Sequence, residues 1–141
     1  NAEFADACRA NGLTFIGPSG DALKALGDKA QARQIARGLS VPLIQGLDVV
    51  NSPDELTAFF DAPGDGGGIV IKAVSGGGGR GIRIVKKRDD IAAALKACRA
   101  EALAAFGDQN VYVERLIERA RHVEVQVIAD GSGGVIHLWH R

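Results

Sequence analysis

The sequence predicts a mixed helix-and-strand protein of the α/β (α+β) class, and three observations lead to this prediction. Two β-branched runs, 69–71 and 82–85, flank a glycine-rich segment, which is typical of two strands joined by a loop. Capped helical patterns occur before and after this pair. A further strand-like stretch, 121–130, alternates strictly between apolar and polar residues. With 46% hydrophobic and 24% charged residues, the 141-residue chain is expected to be globular and about one domain in size.

The first forty residues predict helices around one short strand. A helix is expected over 1–10, with Asn11–Gly12 as its C-terminal signal, and a buried strand over 14–16. A helical turn follows at 21–26, and Asp28 is the expected N-cap of the next helix. One face of that helix carries the apolar residues Ala32, Ile35, Ala36 and Leu39.

Two further helices are predicted on either side of the glycine-rich segment. The sequence 52–55, Ser-Pro-Asp-Glu, has the pattern of a capping box with proline at the first helical position, and it opens a helix through Phe60. Asp89–Asp90 is expected to cap the longest helix, and Gly107 to end it. The apolar stripe of this longest helix comprises Ile91, Leu95, Cys98, Ala102 and Phe106.

The C-terminal stretch predicts an antiparallel strand pair. Residues 121–130 form the first strand, 131–134 a glycine-rich turn and 135–139 the returning strand. One face of the first strand would carry Val123, Val125 and Val127, and the other His122, Glu124 and Gln126. An ordinary solvated sheet has the same polar face, so this pattern alone favours no chemistry. Glu114, which ends a strand over 111–113, is by itself most simply a surface carboxylate.

The glycine-rich segment 75–81, with Lys72 just before it, is the strongest functional signal in the chain. So many glycines cost backbone entropy that an ordinary turn would not need, whereas N–H groups without neighbouring Cβ atoms can cradle phosphate oxygens. Lys72 would add a full positive charge. Lys29 lies in the first turn of its helix, where a lysine suits a bound phosphate although it is commonly just a surface residue. A flexible surface hairpin with a solvated lysine is the alternative interpretation.

Three other glycine-rich phosphate loops are excluded by the order of the elements. The formal GxGxxG at Gly76, Gly78 and Gly81 is followed by a strand, whereas the dinucleotide-binding fingerprint needs a helix there. No GK[ST] closes the segment, as a P-loop requires. A protein-kinase glycine loop has its lysine on the following strand, whereas Lys72 comes first. What remains is a strand lysine followed by a glycine flap over a nucleotide.

Overall composition excludes several classes of partner. The formal net charge is zero, so nothing general attracts nucleic acid or an anionic membrane, and any anion site must be local. No apolar run approaches the ~20 residues that span a bilayer, and no signal peptide is visible. Cys8 and Cys98 are expected to be buried free thiols in a reducing compartment. Because the chain starts at Asn1 without methionine and ends in a strand-like stretch, we expect a piece of a longer chain.

Five stretches together resemble the biotin carboxylase component of biotin-dependent carboxylases (acetyl-CoA, propionyl-CoA or pyruvate carboxylase type), which has the ATP-grasp fold. They are NAEFADAC, FIGPSGDALKALGDKAQAR, IVIKAVSGGGGRGIRIV, EALAAFGDQNVYVERLIERARHVEVQV and HLWHR. The resemblance implies that 1–42 is the end of the family's N-terminal α/β domain with a linking helix. It implies that 43–115 is the glycine-rich lid subdomain and 116–141 the start of the C-terminal ATP-grasp sheet.

The resemblance also implies which residues would hold the phosphates of ATP. Lys29, in GDK, and Lys72, in IVIKA, resemble the two family lysines that reach the nucleotide phosphates. Gly78 and Gly79 lie in the flap that covers them, and His122 resembles a histidine that contacts phosphate oxygens.

The adenine side is implied by the stretch VYVERLI. Glu114 and the backbone of Arg115 match the pair that receives the adenine amino group. Leu116 and the backbone N–H of Ile117 complete the adenine edge. A strand that runs into a linker can offer the acceptor, the donor and the apolar contacts that adenine needs.

For the longer protein, the resemblance implies a ligase that uses Mg-ATP to activate bicarbonate and then carboxylates biotin. Expected partners are biotin carboxyl carrier and carboxyltransferase domains, in a homo-oligomer of the cytoplasm or, in a eukaryote, the mitochondrial matrix. The family's magnesium, bicarbonate and biotin residues lie beyond this segment, which is therefore expected to be inactive alone and to contain no catalytic or metal-binding residue.

The sequence departs from the family at three places, and two alternatives stay open. Gly67–Gly68 stand where the family usually has Tyr-Pro, Val74–Ser75 stand where many members already have glycine, and His140 stands where a glutamate is common. Another ATP-grasp ligase, such as the synthetase domain of carbamoyl phosphate synthase, is one alternative. A non-catalytic nucleotide-binding or interaction module is the other.

Overall fold

The computed structural model describes residues 1–64, 67–75 and 79–141, and in these ranges the chain forms five α-helices and six β-strands. The helices are α1 (Ala2–Ala10), α2 (Gly20–Gly27), α3 (Lys29–Gly38), α4 (Pro53–Asp61) and α5 (Ile91–Phe106), the last preceded by a 3₁₀ turn over Arg88–Asp90. The strands are β1 (Gly46–Leu47), β2 (Ile69–Ala73), β3 (Ile82–Val85), β4 (Val111–Arg115), β5 (Val125–Ala129) and β6 (Val135–His140). The predicted mixed α/β (α+β) class is confirmed.

A four-stranded antiparallel sheet in the order β1-β4-β2-β3 is the centre of the structure. Strand β2 lies between β3 and β4, and Lys72 stands opposite Tyr112 on one side and Ile82 on the other. Val70 stands opposite Glu114. The two apolar runs around the glycine-rich segment therefore form the predicted hairpin, and β4 becomes the second partner of its first strand.

The core lies between one face of this sheet and helices α4 and α5. Because side chains alternate along a strand, Ile69 and Ile71 of β2 point into the core together with Val111 and Val113 of β4. The remaining core residues are Val50, Leu56, Phe59, Val85, Ile91, Leu95 and Cys98. Each such buried side chain stabilises the fold by roughly 1.5–3 kcal/mol. The opposite face of β2 and β4 carries Lys72, Tyr112 and Glu114 together with Val70.

The caps of the first three helices follow from their sequences, but two predictions in this region are wrong. Asp28 caps α3 as predicted, since its carboxylate accepts from the N–H groups of Ala30 (2.8 Å) and Gln31 (3.0 Å). Residues 14–16 do not form a buried strand: no described strand pairs with them, and Ile16 is 97% exposed. Helix α3 likewise leaves its predicted apolar face largely exposed and buries Arg33 instead.

The starts of α4 and α5 differ in how they are capped. Ser52 accepts from the N–H of Glu55 at 3.2 Å as a capping box requires, while the Glu55 carboxylate reaches the N–H of Asn51 at 2.8 Å. No side-chain cap hydrogen bond is formed by Asp90 at the start of α5, so the predicted Asp89–Asp90 cap is wrong; the 3₁₀ turn leads into this helix instead. Gly107, with φ of +73°, ends α5 as predicted.

Strands β5 and β6 pair antiparallel, as predicted, with a register irregularity between Val125 and Val127. Both faces of this hairpin are exposed, so the alternating pattern has no buried side in the described chain. Cys98 is a buried free thiol, but Cys8 is only partly buried, which corrects that prediction. No helix among the described residues is long and apolar enough to cross a membrane.

Candidate nucleotide-binding site

The polar face of strands β2 and β4 carries an ion pair at its centre. The Nζ atom of Lys72 lies 2.6 Å from a carboxylate oxygen of Glu114 and 5.8 Å from the centre of the Tyr112 ring. Glu114 is only 8% exposed, so it is not the surface carboxylate that a strand-end glutamate usually is. Burial, together with the charge of Glu114, raises the pKa of Tyr112 to about 12.

A second cation, Arg33 of helix α3, holds the other oxygen of Glu114. Its Nη1 atom contacts Glu114 Oε1, its Nε donates to Asp48 at 2.7 Å and its Nη2 donates to the carbonyl of Ile44 at 3.0 Å. The guanidinium fork thus joins α3 to the residues on both sides of β1 and to β4. The sequence prediction missed Arg33, although it lies one turn after Lys29 and therefore on the same side of α3.

The two predicted phosphate lysines lie on the same side of the glycine-rich segment. The Nζ atom of Lys29 is 3.4 Å from the carbonyl of Val74, two residues beyond Lys72. Partial burial, followed by repulsion from Lys72, holds the pKa of Lys29 below its usual value of 10.5. Lys29 also lies at the N-terminus of α3, which is the positive end of the helix dipole.

The glycine-rich segment closes its described end with a tight backbone contact. Gly81 has φ of +68°, and its carbonyl accepts from the N–H of Ala73 at 2.7 Å, which joins β2 to β3. Gly79 has φ of +79°, and a Cβ at this position would meet no heavy atom of the described residues within 4 Å. Gly78, with Gly76 and Gly77, lies outside the described residues.

The end of β4 is fixed by backbone hydrogen bonds on both sides. The N–H of Arg115 donates to the carbonyl of Gln45 at 2.9 Å, and the N–H of Leu116 donates to the carbonyl of Gly68 at 3.0 Å. Leu116 is buried, whereas the side chain of Ile117 is half exposed. Strand β4 ends at Arg115, and the chain becomes exposed to solvent between Leu116 and Ile117.

The side chain of Arg115 points away from the ionic cluster formed by Arg33, Lys72 and Glu114. Its guanidinium donates to the carbonyls of Phe60 (3.2 Å) and Ala62 (2.5 Å) and lies 4.5 Å from the centre of the Phe59 ring. These contacts place a cation at the C-terminal end of α4, where the helix dipole favours it. The side chain of Arg115 thus binds α4 to β4, and only its backbone is available to the site.

His122 is not brought into the cluster. Its side chain is 84% exposed and its Nε2 atom lies 3.2 Å from Glu124. No contact of His122 with either lysine occurs in the described part of the chain. The described residues also contain no group of three or more His, Cys, Asp or Glu side chains that could hold a metal ion.

The sequence matches a known family of ATP-binding domains. Residues 28–141 fit the family model for the carbamoyl-phosphate synthase L chain, ATP binding domain. The chain therefore belongs to this family.

Individual relatives narrow the similarity to the biotin carboxylases. The chain is 44% identical over 143 aligned positions to pyruvate carboxylase of Bacillus subtilis and 42% identical over 141 to biotin carboxylase of Pseudomonas aeruginosa. In both alignments the whole of this chain is covered, but only 12% and 31% of those proteins. The predicted resemblance is confirmed, and the chain spans less than a third of either relative.

Solved structures show the same relationship. The biotin carboxylase domain of Hydrogenobacter thermophilus 2-oxoglutarate carboxylase, in complex with MgADP, ADP and bicarbonate, has a TM-score of 0.90 at 35% identity, over 99% of this chain and 31% of that one. Campylobacter jejuni biotin carboxylase, in a β,γ-ATP complex, has a TM-score of 0.88 at 37% identity, over 97% and 30%. The described elements are thus arranged as in an ATP-grasp biotin carboxylase.

Proposed function

We propose that this chain is the part of a biotin carboxylase that binds ATP. The observation that carries the proposal is the convergence of Lys29 and Lys72 beside the glycine-rich segment, with the buried Glu114 next to them. A triphosphate needs concentrated positive charge, and adenine needs a hydrogen-bond acceptor for its amino group. This one face of the sheet offers both within a few residues.

The phosphates would be held by the two lysines and covered by the glycine flap. Lys29 and Lys72 would partly neutralise the triphosphate, and Gly78 and Gly79 would lie above it. His122 would approach the phosphates only after the segment that carries it changes position, because in this structure it pairs with Glu124. Positioning, electrostatic stabilisation and exclusion of water are the contributions that phosphoryl transfer needs.

The adenine ring would lie against the end of β4. We assign its amino group to Glu114 and to the backbone of Arg115. Leu116 and the backbone N–H of Ile117 would form the rest of the adenine edge. This assignment is supported by the place just after β4 where the chain becomes exposed, between a buried Leu116 and a half-exposed Ile117.

The longer protein would catalyse a two-step carboxylation. Bicarbonate would attack the γ-phosphorus of ATP, which releases ADP and forms carboxyphosphate. The carboxyl group would then pass to the ureido nitrogen of biotin, with release of phosphate. Magnesium would accompany the nucleotide, and we assign no residue of this chain to the metal.

We extend the proposal to the organisation of the longer protein. Residues 1–42, 43–115 and 116–141 would belong to the N-terminal domain, the lid and the C-terminal ATP-grasp domain. Biotin carrier and carboxyltransferase domains would be partners, and the assembly would be a homo-oligomer. Its place would be the cytoplasm, or the mitochondrial matrix in a eukaryote, which is supported by the free thiols of Cys8 and Cys98.

The direct test is ADP release by the full-length protein with Mg-ATP, with and without bicarbonate and free biotin. Release that requires bicarbonate and rises with biotin is expected. Release driven by another acceptor would point to a different ATP-grasp ligase; the description of the matching family favours a carbamoyl-phosphate synthase domain as that second candidate. Binding of ATP without turnover would contradict the proposed enzymatic activity and would support a non-catalytic nucleotide-binding module.

The lysine assignment is tested by Lys72→Ala in the full-length protein. The change removes a charge-assisted contact worth roughly 1.5–3 kcal/mol, so ATP affinity or turnover should fall roughly ten- to a hundredfold. Lys96→Ala, on the exposed side of α5, is the matched control and should leave both unchanged. An unaltered ATP response in the Lys72 variant would refute the assignment.

A further inference from the structure

We propose that Arg33 is a positioning residue for nucleotide recognition, which holds Glu114 in place while Lys72 moves from that carboxylate to the phosphates. The proposal rests on the nucleotide site proposed above and adds a residue outside it. In this exchange of partners, the amino group of adenine replaces the ammonium group of Lys72 on Glu114.

Arg33 is fixed independently of Glu114. The Nε atom donates to Asp48 and the Nη2 atom to the carbonyl of Ile44, so two of the three donor directions are set before Glu114 is reached. Because the guanidinium group is planar and rigid, this anchoring aims the Nη1 atom at one oxygen of Glu114.

The two oxygens of Glu114 therefore have different partners. Oε1 contacts Arg33, whose side chain is buried, and Oε2 contacts Lys72, whose side chain is 28% exposed. A lysine has a long, flexible side chain that can reorient, whereas Arg33 is held at three points. Of the two cations, Lys72 is the one that can leave.

Movement of Lys72 would be prohibitive without Arg33. A buried carboxylate that loses its only cation is strongly destabilised, because it is neither hydrated nor paired. With Arg33 still on Oε1, the charge of Glu114 remains compensated and Oε2 becomes an acceptor for the amino group of adenine. Binding of the base and delivery of Lys72 to the phosphates are thereby one coupled event.

The test compares ATP with ITP, because hypoxanthine has a carbonyl group where adenine has the amino group and cannot donate to Glu114. Equilibrium binding of both nucleotides to the full-length protein is measured for the wild type, Arg33→Met and Arg37→Met. Arg37 is the matched control: it lies one turn further along α3 and binds the same Asp48, but it is exposed and does not contact Glu114. A merely structural change should weaken both nucleotides equally.

We expect the wild type to prefer ATP over ITP, Arg33→Met to reduce that preference about tenfold, and Arg37→Met to leave it within about twofold. If Arg33→Met does not fold, Arg33→Lys decides, since one ammonium group cannot reach Asp48, Ile44 and Glu114 together; a smaller loss of preference is expected. If the Arg33 variant that folds keeps the wild-type preference, or if the wild type itself shows no preference, the inference is overturned. The proposed ATP site is not affected by either result. A wild type that binds neither nucleotide overturns the nucleotide site as well.

Discussion

Lys29 carries its charge at a position where its surroundings oppose it. It is the first residue of α3, so it lies at the positive end of the helix dipole, and it is partly buried near Lys72. Each of these factors disfavours a cation in the unliganded protein, and the charge of a bound phosphate would reverse the balance. The residue therefore has a measurable signature besides affinity.

Nucleotide binding should be accompanied by proton uptake at alkaline pH. Without nucleotide the pKa of Lys29 lies below 10.5, mainly through burial; a bound phosphate should raise it, so protons are taken up between the lowered value and 10.5. In the same window the unfolded chain holds more proton than the unliganded fold at Lys29, so the stability of the unliganded protein should rise with pH. Titration calorimetry in buffers of different ionisation enthalpy measures the uptake. The same uptake in Lys29→Met would refute the assignment.

At the level of single residues, the sequence predicted Lys29 and Lys72 but not Arg33, which joins Glu114 to Asp48 and Ile44. Lys29 and Lys72 were predicted as an anion-binding pair, because each stands next to a recognisable local signal. For Lys29 the signal is a helix start, and for Lys72 it is the glycine-rich segment. Arg33 was not predicted, because periodicity assigns an arginine to the solvent side of a helix. Its carboxylate partner lies 81 residues away, and only the folded chain brings them together.

In the β2–β3 hairpin, the structure requires a glycine at position 81. Gly81 combines a left-handed backbone with a close approach: a Cβ there would lie 2.7 Å from the Cβ of Ala73. Its carbonyl also accepts from the buried thiol of Cys98 at 3.3 Å. The turn is thus tied to both the sheet and α5.

Gly81→Ala should therefore destabilise the protein more than Gly107→Ala. The two glycines have nearly the same φ, +68° and +73°, but a Cβ at Gly107 would have nothing within 4 Å. Both changes should cost roughly 1 kcal/mol for the left-handed backbone, and Gly81→Ala a further ~1–3 kcal/mol for the clash. Urea unfolding monitored by circular dichroism measures the difference. Equal losses would show that the contact with Ala73 is unimportant.

Among the elements, those with strong local signals were predicted and those that depend on distant partners were not. The cap at Asp28, the capping box before α4 and the stop at Gly107 are each determined within a few residues. Residues 14–16 look like a buried strand, but a strand requires a neighbour, and no described strand pairs with them. The strict alternation of the C-terminal hairpin predicted its pairing correctly, although neither face is covered.

For the molecule as a whole, the β5–β6 hairpin and the four-stranded sheet form separate hydrogen-bonded units. The sheet has a buried core between its strands and two helices, whereas the hairpin has both faces exposed, including Trp139 at 75%. An isolated two-stranded hairpin is marginally stable in water. The two parts of this chain should therefore not unfold together.

In the 141-residue chain, Trp139 fluorescence should change at lower urea concentration than the helical circular dichroism signal. Trp139 is the only tryptophan, so its emission reports on the hairpin alone. Ile71→Ala, a truncation in the core that costs roughly 2–5 kcal/mol, should lower the midpoint of the dichroism signal and leave that of Trp139 in place. Coincident transitions, shifted together by Ile71→Ala, would mean that the chain unfolds as one unit.

The strand order β1-β4-β2-β3 places the last of these four strands in the middle of the sheet. A ribosome releases the chain from its N-terminus at roughly 5–20 residues per second, so the β2–β3 hairpin emerges roughly 1–6 s before β4 is complete. During that interval one edge of β2 presents unpaired backbone groups, which is the kind of edge that other chains can join. Synthesis of Val111–Arg115 fills this edge and delivers Glu114 in the same step. The growing polypeptide thus completes its four-stranded sheet and acquires the carboxylate of its candidate nucleotide site at the same moment.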